Sequence, residues 1–157
     1  MALRRPRWAA SSEHTLSEIV PAPPEAVRDF YIDLRNIVAV HPLVVAVTAT
    51  QRTVADDGYT QTYRVRDRIP FGPLALPVTY TAIVHVPVRG EVRTEASQFP
   101  AVRVIGAVSS DAADTGTRLT ERLTITAPRP LAGFTAREAV AAHAAMLAGF
   151  RARFERT

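Results

Sequence analysis

Apolar residues recur at helical spacing through the last part of the chain. At about 100° per residue, His143 falls inside the apolar arc, whereas the charged residues fall outside it. Thr135 and Glu138 have the spacing of a capping box, so the pattern predicts a helix over residues 136–155 with Thr135 as the N-cap. An apolar surface must cover this helix face, which contains one imidazole. The apolar members of the arc include Val140, Met146, Leu147, Phe150 and Phe154.

The period changes to that of strands between residues 44 and 127, where β-branched segments alternate with turn signals such as Asp56-Asp57-Gly58. An extended segment, His14 to Val20, and two short helices precede them. The first helix carries Val27, Phe30, Tyr31 and Leu34, and the second, Arg35 to Val40, ends before Pro42. The six predicted strands run over residues 44–54, 59–69, 75–86, 91–99, 102–110 and 117–127.

This order of elements predicts an α+β fold. A seven-stranded antiparallel sheet has one face to bury, and only the C-terminal helix is long enough to cover it. We therefore expect a curved sheet wrapped around that helix, with two short helices between the first two strands and a cavity between sheet and helix.

Strand alternation predicts which side chains face that cavity, because successive residues point to opposite faces. Three arginines at 64, 66 and 68 must face water, so Tyr63 and Asp67 on the same strand point inward. The same argument turns Tyr80 and Glu121 inward on their strands. The candidate ligand-binding residues are Tyr63, Asp67, Tyr80, Glu121, His143, Leu147, Phe150 and His41, which ends the second short helix.

An inward carboxylate such as Glu121 is costly to bury alone, so it has a partner, is protonated, or meets water in the cavity. His143, an inward tyrosine hydroxyl and Arg103 are possible partners. The plainer interpretation is that Glu121, Asp67 and His143 are hydrogen-bonded core residues without a ligand. Glu121 and His143 are also the candidates for catalysis.

Composition narrows the class of protein. With 157 residues and 47% apolar content, the chain is long enough for one domain, placed at 14–157 after a flexible basic leader at 1–13. The leader contains Arg4, Arg5 and Arg7. The charge of +4 comes from arginine without lysine, which indicates codon bias rather than a nucleic-acid partner.

Several chemistries have no sequence support. Cysteine is absent, and no apolar run is long enough for a signal peptide or stable membrane insertion, so we expect a cytoplasmic protein. The chain lacks a Gly-rich phosphate loop, a metal-ligand spacing and a G-x-S-x-G elbow. We therefore expect neither a cofactor nor a metal.

The segment 69–74, Ile-Pro-Phe-Gly-Pro-Leu, is a loop with unusually apolar residues. One interpretation is a lip at the entrance of a hydrophobic cavity. The other is packing onto a short helix or onto a partner subunit in a homodimer.

The element order, DLRNIVAVHPLV at 33–44 and GTRLTERLTI at 116–125 resemble the polyketide cyclase/dehydrase and lipid-transport family of the START-like (SRPBCC) superfamily. The resemblance covers about residues 14–155. It implies a helix-grip fold with a hydrophobic ligand cavity. It supplies no catalytic residue, since members of the family use different cavity residues.

Three functions follow as hypotheses. The first is binding or carriage of a hydrophobic small molecule, such as a lipid, a sterol-like compound or a polyketide. The second is a polyketide cyclase, aromatase or dehydratase, in which His143 or Glu121 takes a proton and Tyr63 or Tyr80 donates to an enolate oxygen. The third is an interaction module that forms a homodimer through the apolar loop.

Overall fold

The described part of the chain, residues 6–157 of a computed structural model, contains seven strands and three helices. Arg4 and Arg5 of the predicted leader lie outside the described residues. The elements in chain order are β1 (Ala9–Val20), α1 (Pro24–Ile32), a 3₁₀ helix (Leu34–Ala39), β2 (Val44–Ala55), β3 (Gly58–Phe71), β4 (Leu74–Pro87), β5 (Val92–Gln98), β6 (Val102–Ala113), β7 (Gly116–Pro128) and α2 (Arg129–Glu155).

The strands form one antiparallel sheet in the order β1-β7-β6-β5-β4-β3-β2. Because β1 and β2 lie at opposite edges, the connection between them must span the sheet. α1 contacts β6 and β7, whereas the 3₁₀ helix contacts β2. α2 packs against β1 and β7. The predicted helix-grip architecture is confirmed.

Burial alternates along the strands as the sequence predicts. On β3, Tyr63 and Asp67 are buried, whereas the arginines at 64, 66 and 68 are exposed. On β7, Leu119, Glu121 and Leu123 are buried, whereas the arginines beside them are exposed. The arginine positions thus identify the outer face of the sheet correctly.

α2 begins at Arg129 rather than Ala136, so the prediction that Thr135 is the N-cap is wrong. Pro128 is the N-cap, and Pro130 lies in the first turn, where a helix does not need the missing N–H. The two prolines therefore start the helix instead of separating it from β7. Although α2 has 27 residues, no helix in residues 6–157 is long and apolar enough to cross a membrane.

β1 begins at Ala9 rather than His14, because Ala9 to Ser12 pair with Ile125 to Pro128 of β7. Residues 9–13, which the sequence assigned to the flexible leader, are therefore part of the sheet. Ala9 is buried. The extra length of β1 depends on a strand more than a hundred residues away, which a local pattern does not reveal.

Gly116 is the first residue of β7, directly after the turn from β6, and has a φ of +142°. Residues with a side chain rarely adopt this backbone angle. A Cβ atom at this position would collide with the backbone carbonyl oxygen of Val20, the last residue of β1. The next residue, Thr117, is fully buried, and its hydroxyl donates to the Ala22 carbonyl at 2.6 Å. Glycine here therefore lets the β6–β7 turn approach the end of β1.

We expect Gly116→Ala to lower the free energy of unfolding by about 2–3 kcal/mol, through backbone strain and repulsion from the Val20 carbonyl. Gly72→Ala is the matched control, because Gly72 also has a positive φ but has open space around it. The control is expected to cost about 1 kcal/mol. Urea denaturation measures both values, and equal losses would contradict the close-approach argument.

Candidate functional site

A cavity of about 200 Å³ lies between the concave face of the sheet and residues 134–146 of α2, and it is partly open to solvent. Its surface is mostly apolar. The 3₁₀ helix closes one side, and residues from β2 to β6 form the wall opposite α2. The apolar lining includes Leu34, Ile37, Val65, Val104, Ala139 and Met146.

Glu121 on β7 lies directly behind this cavity and is fully buried. The Tyr31 hydroxyl on α1 donates to Glu121 Oε2 at 2.6 Å. On the other side, His143 Nδ1 of α2 lies 3.0 Å from Oε1 and 3.3 Å from Oε2. The buried carboxylate therefore has the partners that its burial requires, one from each helix.

The electrostatics of the pair favour its charged form. Burial alone would raise the pKa of Glu121, but the His143 charge and the two hydrogen bonds outweigh it and lower that pKa. Burial would likewise lower the pKa of His143, yet the Glu121 charge and hydrogen bond raise it. Both shifts favour an imidazolium beside a carboxylate, with Nδ1–H of His143 as the donor.

The second nitrogen of His143 is available to a ligand. Nε2 has no hydrogen-bond partner in residues 6–157, and no buried side-chain nitrogen or oxygen of these residues lacks one, so Nε2 is not buried. The His143 side chain lines the cavity and keeps 22% of its surface exposed. Because Nδ1 is used by Glu121 and the ring lines the cavity, Nε2 is the nitrogen of His143 that is left for a ligand.

His41 also lines the cavity, with its ring edge-on to His143 at a centroid distance of 5.6 Å. Burial and the charge of His143 lower its pKa to about 4. Its Nδ1 accepts the backbone N–H of Leu43 at 3.2 Å, so the proton of the neutral ring sits on Nε2. His41 is therefore a neutral donor beside a charged one.

Asp67 on β3 is the second carboxyl of the site and, unlike Glu121, lines the cavity itself. Burial raises its pKa to about 6, against the effect of the Tyr80 hydroxyl, which donates to Oδ1 at 3.2 Å. Tyr80 lines the cavity as well. Since a general acid or base works best with a pKa near the operating pH, Asp67 is the group best suited to exchange a proton near neutral pH.

This geometry changes the roles expected from the sequence. The raised pKa of His143 disfavours it as a base, because its protonated form is stabilised by Glu121, and the Tyr80 hydroxyl donates to Asp67. The Tyr63 hydroxyl donates to the Ile32 carbonyl at 3.3 Å. Neither tyrosine therefore has a free hydroxyl proton for an enolate, whereas Asp67 and His143 both line the cavity.

Four of the predicted ligand-binding residues do not line the cavity. Glu121 is covered by its partners, and Tyr63 points toward the end of α1. Leu147 and Phe150 are buried within about one turn beyond Met146, the last residue of α2 that lines the cavity, and Phe150 packs against Phe30 and Tyr31. The predicted residues that do line it are His41, Asp67, Tyr80 and His143.

Of the possible partners that the sequence left open for Glu121, the structure supplies His143 and a tyrosine hydroxyl but not Arg103. Arg103 pairs with Glu95 at 2.7 Å on the exposed side and does not reach Glu121. Tyr31 takes that place, although the sequence interpretation did not select it as a site residue. Its position on the apolar face of α1, with Val27, was the available signal, but the face alone does not reveal which strand it meets.

The apolar segment 69–74 forms the tip of the β3–β4 hairpin. Phe71 and Leu74 are 57% and 65% exposed, and the Phe71 ring lies edge-on to Phe134 of α2 at 6.1 Å. Ile69 and Phe134 line the cavity. The tip therefore borders the cavity on the α2 side, and it packs against α2 rather than against a short helix.

Among residues 6–157, no group of three or more histidine, aspartate or glutamate side chains is placed to hold a metal ion.

Solved structures with the same fold include proteins of different kinds, although no family model and no curated protein sequence matches the chain. TTHA0849 from Thermus thermophilus has a TM-score of 0.73 at 19% identity, covering 92% of this chain and 98% of that one. The Zhui aromatase/cyclase from Streptomyces sp. R1128 has a TM-score of 0.73 at 17% identity, covering 94% of both chains. Ara h 8.0201 has a TM-score of 0.66 at 11% identity, covering 94% and 100%. These likenesses confirm the helix-grip fold expected from the sequence.

His143→Leu is expected to lower the free energy of unfolding at neutral pH by about 3–5 kcal/mol, because it leaves a buried carboxylate without its cation. The double variant Glu121→Gln/His143→Gln removes both charges and keeps hydrogen-bonding groups in place, so its loss is expected to be much smaller. Chemical denaturation measures both. A double variant as unstable as His143→Leu would contradict the ion-pair interpretation.

The ion pair also predicts a pH dependence. The Glu121 contribution is present above the ordinary pKa of 4.5 and is lost as the pH falls through its lowered folded value. The His143 contribution is complete below the ordinary 6.5 and is lost as the pH rises through its raised folded value. The stability difference between wild type and the double variant should therefore be largest between these two ordinary values.

Proposed function

We propose that the protein binds a small hydrophobic molecule that carries polar oxygen atoms. The observation that carries this proposal is the mostly apolar cavity whose lining includes His143 and Asp67. Apolar walls supply affinity, and a few fixed polar groups orient the ligand.

The volume of the cavity limits the size of the ligand. A protein cavity of roughly 150 Å³ holds one benzene molecule. A cavity of about 200 Å³ therefore suits one substituted ring or two small fused rings. A long lipid or a four-ring sterol would need the sheet and α2 to separate further, so small cyclic molecules fit best.

The structural neighbours support this class of function. The fold occurs in proteins named as aromatase/cyclases, including Zhui, and in Ara h 8.0201. Since one fold hosts many functions, the neighbours support ligand binding in general, and the choice of ligand rests on the cavity residues of this chain.

Native mass spectrometry of the freshly purified protein tests the proposal directly by detecting a co-purified ligand. Calorimetric titration with 1-naphthol, a two-ring probe, then measures binding. Ala139→Phe is expected to abolish saturable binding, because Ala139 lines the cavity and a phenyl ring would fill it. Ala141→Phe, on the exposed side of the same helix, is the matched control and should bind as wild type does. Unchanged binding by Ala139→Phe would refute this location.

A second candidate function is that of a cyclase, aromatase or dehydratase acting on a poly-carbonyl compound. The specific observation in its favour is that a carboxyl with a pKa of about 6 and a charged donor share one cavity. Asp67 would take a proton from the carbon next to a carbonyl, and His143 would stabilise the oxygen on which negative charge develops.

Incubation with a synthetic poly-β-ketone thioester tests this candidate, with cyclised or dehydrated products measured by chromatography and mass spectrometry. We expect wild type to form them faster than buffer alone. Asp67→Asn should be slower by about 10²-fold or more, the usual size of a general-base contribution. Product formation at the buffer rate with wild type would eliminate this function while leaving ligand binding intact.

A further inference from the structure

The open nitrogen of His143 determines what kind of ligand atom the site prefers. The ring is held by its Nδ1–H donation to Glu121, and that carboxylate is held by Tyr31. The ring is thereby fixed in orientation, it lines a mostly apolar cavity, and its Nε2 has no partner within residues 6–157. A charged donor in a water-poor environment stabilises an anionic oxygen more strongly than a neutral one. The ligand atom that suits this position is an oxyanion.

The charges around the site determine where the ligand's proton goes. Asp67 lines the same cavity, close enough to His143 that each charge shifts the other's pKa. Asp67 accepts one hydrogen bond, from Tyr80, whereas Glu121 has donors on both sides. The remaining ionisable groups of the wall are Tyr31, His41, Glu95 and Glu138. Glu95 is paired with Arg103, and Glu138 is less buried than Asp67. Asp67 is therefore the carboxylate best placed to take a proton.

We infer that the ligand is a weak oxygen acid, a phenol or an enol, bound as its conjugate base with the oxyanion against His143 Nε2–H and its proton on Asp67. The inference rests on the proposed function. The ligand O–H bond breaks, its electron pair stays on the ligand oxygen, and an O–H bond forms on Asp67. No electron is transferred, and no further reactant is needed.

The proton transfer keeps the number of charges in the cavity constant. Before it, the negative charge sits on Asp67, a desolvated carboxylate with one donor. After it, the charge is spread over a conjugated ring and its oxygen accepts a hydrogen bond from the imidazolium of His143. Because a delocalised anion is less costly to desolvate than a carboxylate, both changes favour the transfer.

4-Nitrophenol tests the inference, because it is a one-ring phenol whose phenol and phenolate forms have separate absorption bands. With saturating wild-type protein, the pKa of the bound probe is expected to fall by about one unit, which is about a tenfold higher phenolate-to-phenol ratio at a given pH. Glu121→Gln/His143→Gln should bind the probe without that fall. His85→Gln, which changes an exposed histidine outside the cavity, should behave as wild type.

Calorimetry in buffers of different ionisation heat tests the role of Asp67. Above the pKa of the free probe, 4-nitrophenol enters as phenolate, so wild type should take up nearly one proton per bound molecule, at Asp67. Asp67→Asn has no carboxylate to protonate and should take up none. The proton count separates proton acceptance from a merely structural role, which would alter affinity but not proton uptake.

Each outcome has a distinct meaning. A bound probe that titrates like the free one overturns the oxyanion inference and leaves the proposed function standing. Equal proton uptake by wild type and Asp67→Asn overturns the assignment of the proton to Asp67. A protein that shows no saturable binding of 4-nitrophenol or 1-naphthol refutes the proposed function, and this inference with it.

Discussion

The buried carboxylate of Glu121 is the constraint on which the rest of the structure depends. It has no exposed surface, so its charge is tolerable only with donors in place. One donor, Tyr31, comes from α1, and the other, His143, comes from α2. This one side chain of β7 therefore ties both helices to the sheet and sets the distance between α2 and the strands, which is the depth of the cavity.

The interaction of Glu121 with His143 also affects the pKa values of the other groups in the site. Glu121 keeps His143 charged, and the charge of His143, together with burial, keeps His41 neutral with a pKa of about 4. Asp67 has a single hydroxyl donor, and burial leaves its pKa at about 6. The pKa values of the two carboxyls thus move in opposite directions, because the partners of Glu121 outweigh its burial and the single donor of Asp67 does not.

The period of the apolar residues was sufficient to predict the fold, because the two faces of a strand and the stripe of a helix are local properties of the sequence. Exposed arginines on β3 and β7 marked the outer face correctly. The ends of elements were less predictable. β1 gains residues from Ala9 onward by pairing with β7, and α2 starts at Arg129 because its prolines occupy the first turn.

The sequence by itself determined that Glu121, Asp67, Tyr80 and His143 face inward, since alternation and helical spacing are read along the chain. Only the tertiary structure decided how deep each one lies and which donor it meets. It placed Glu121 behind the cavity rather than in its wall and paired it with Tyr31 rather than Arg103. The physical reason is that the depth of a side chain and its hydrogen-bond partner depend on how elements distant in sequence pack together. The sequence pattern indicates only which face of its own element the side chain occupies.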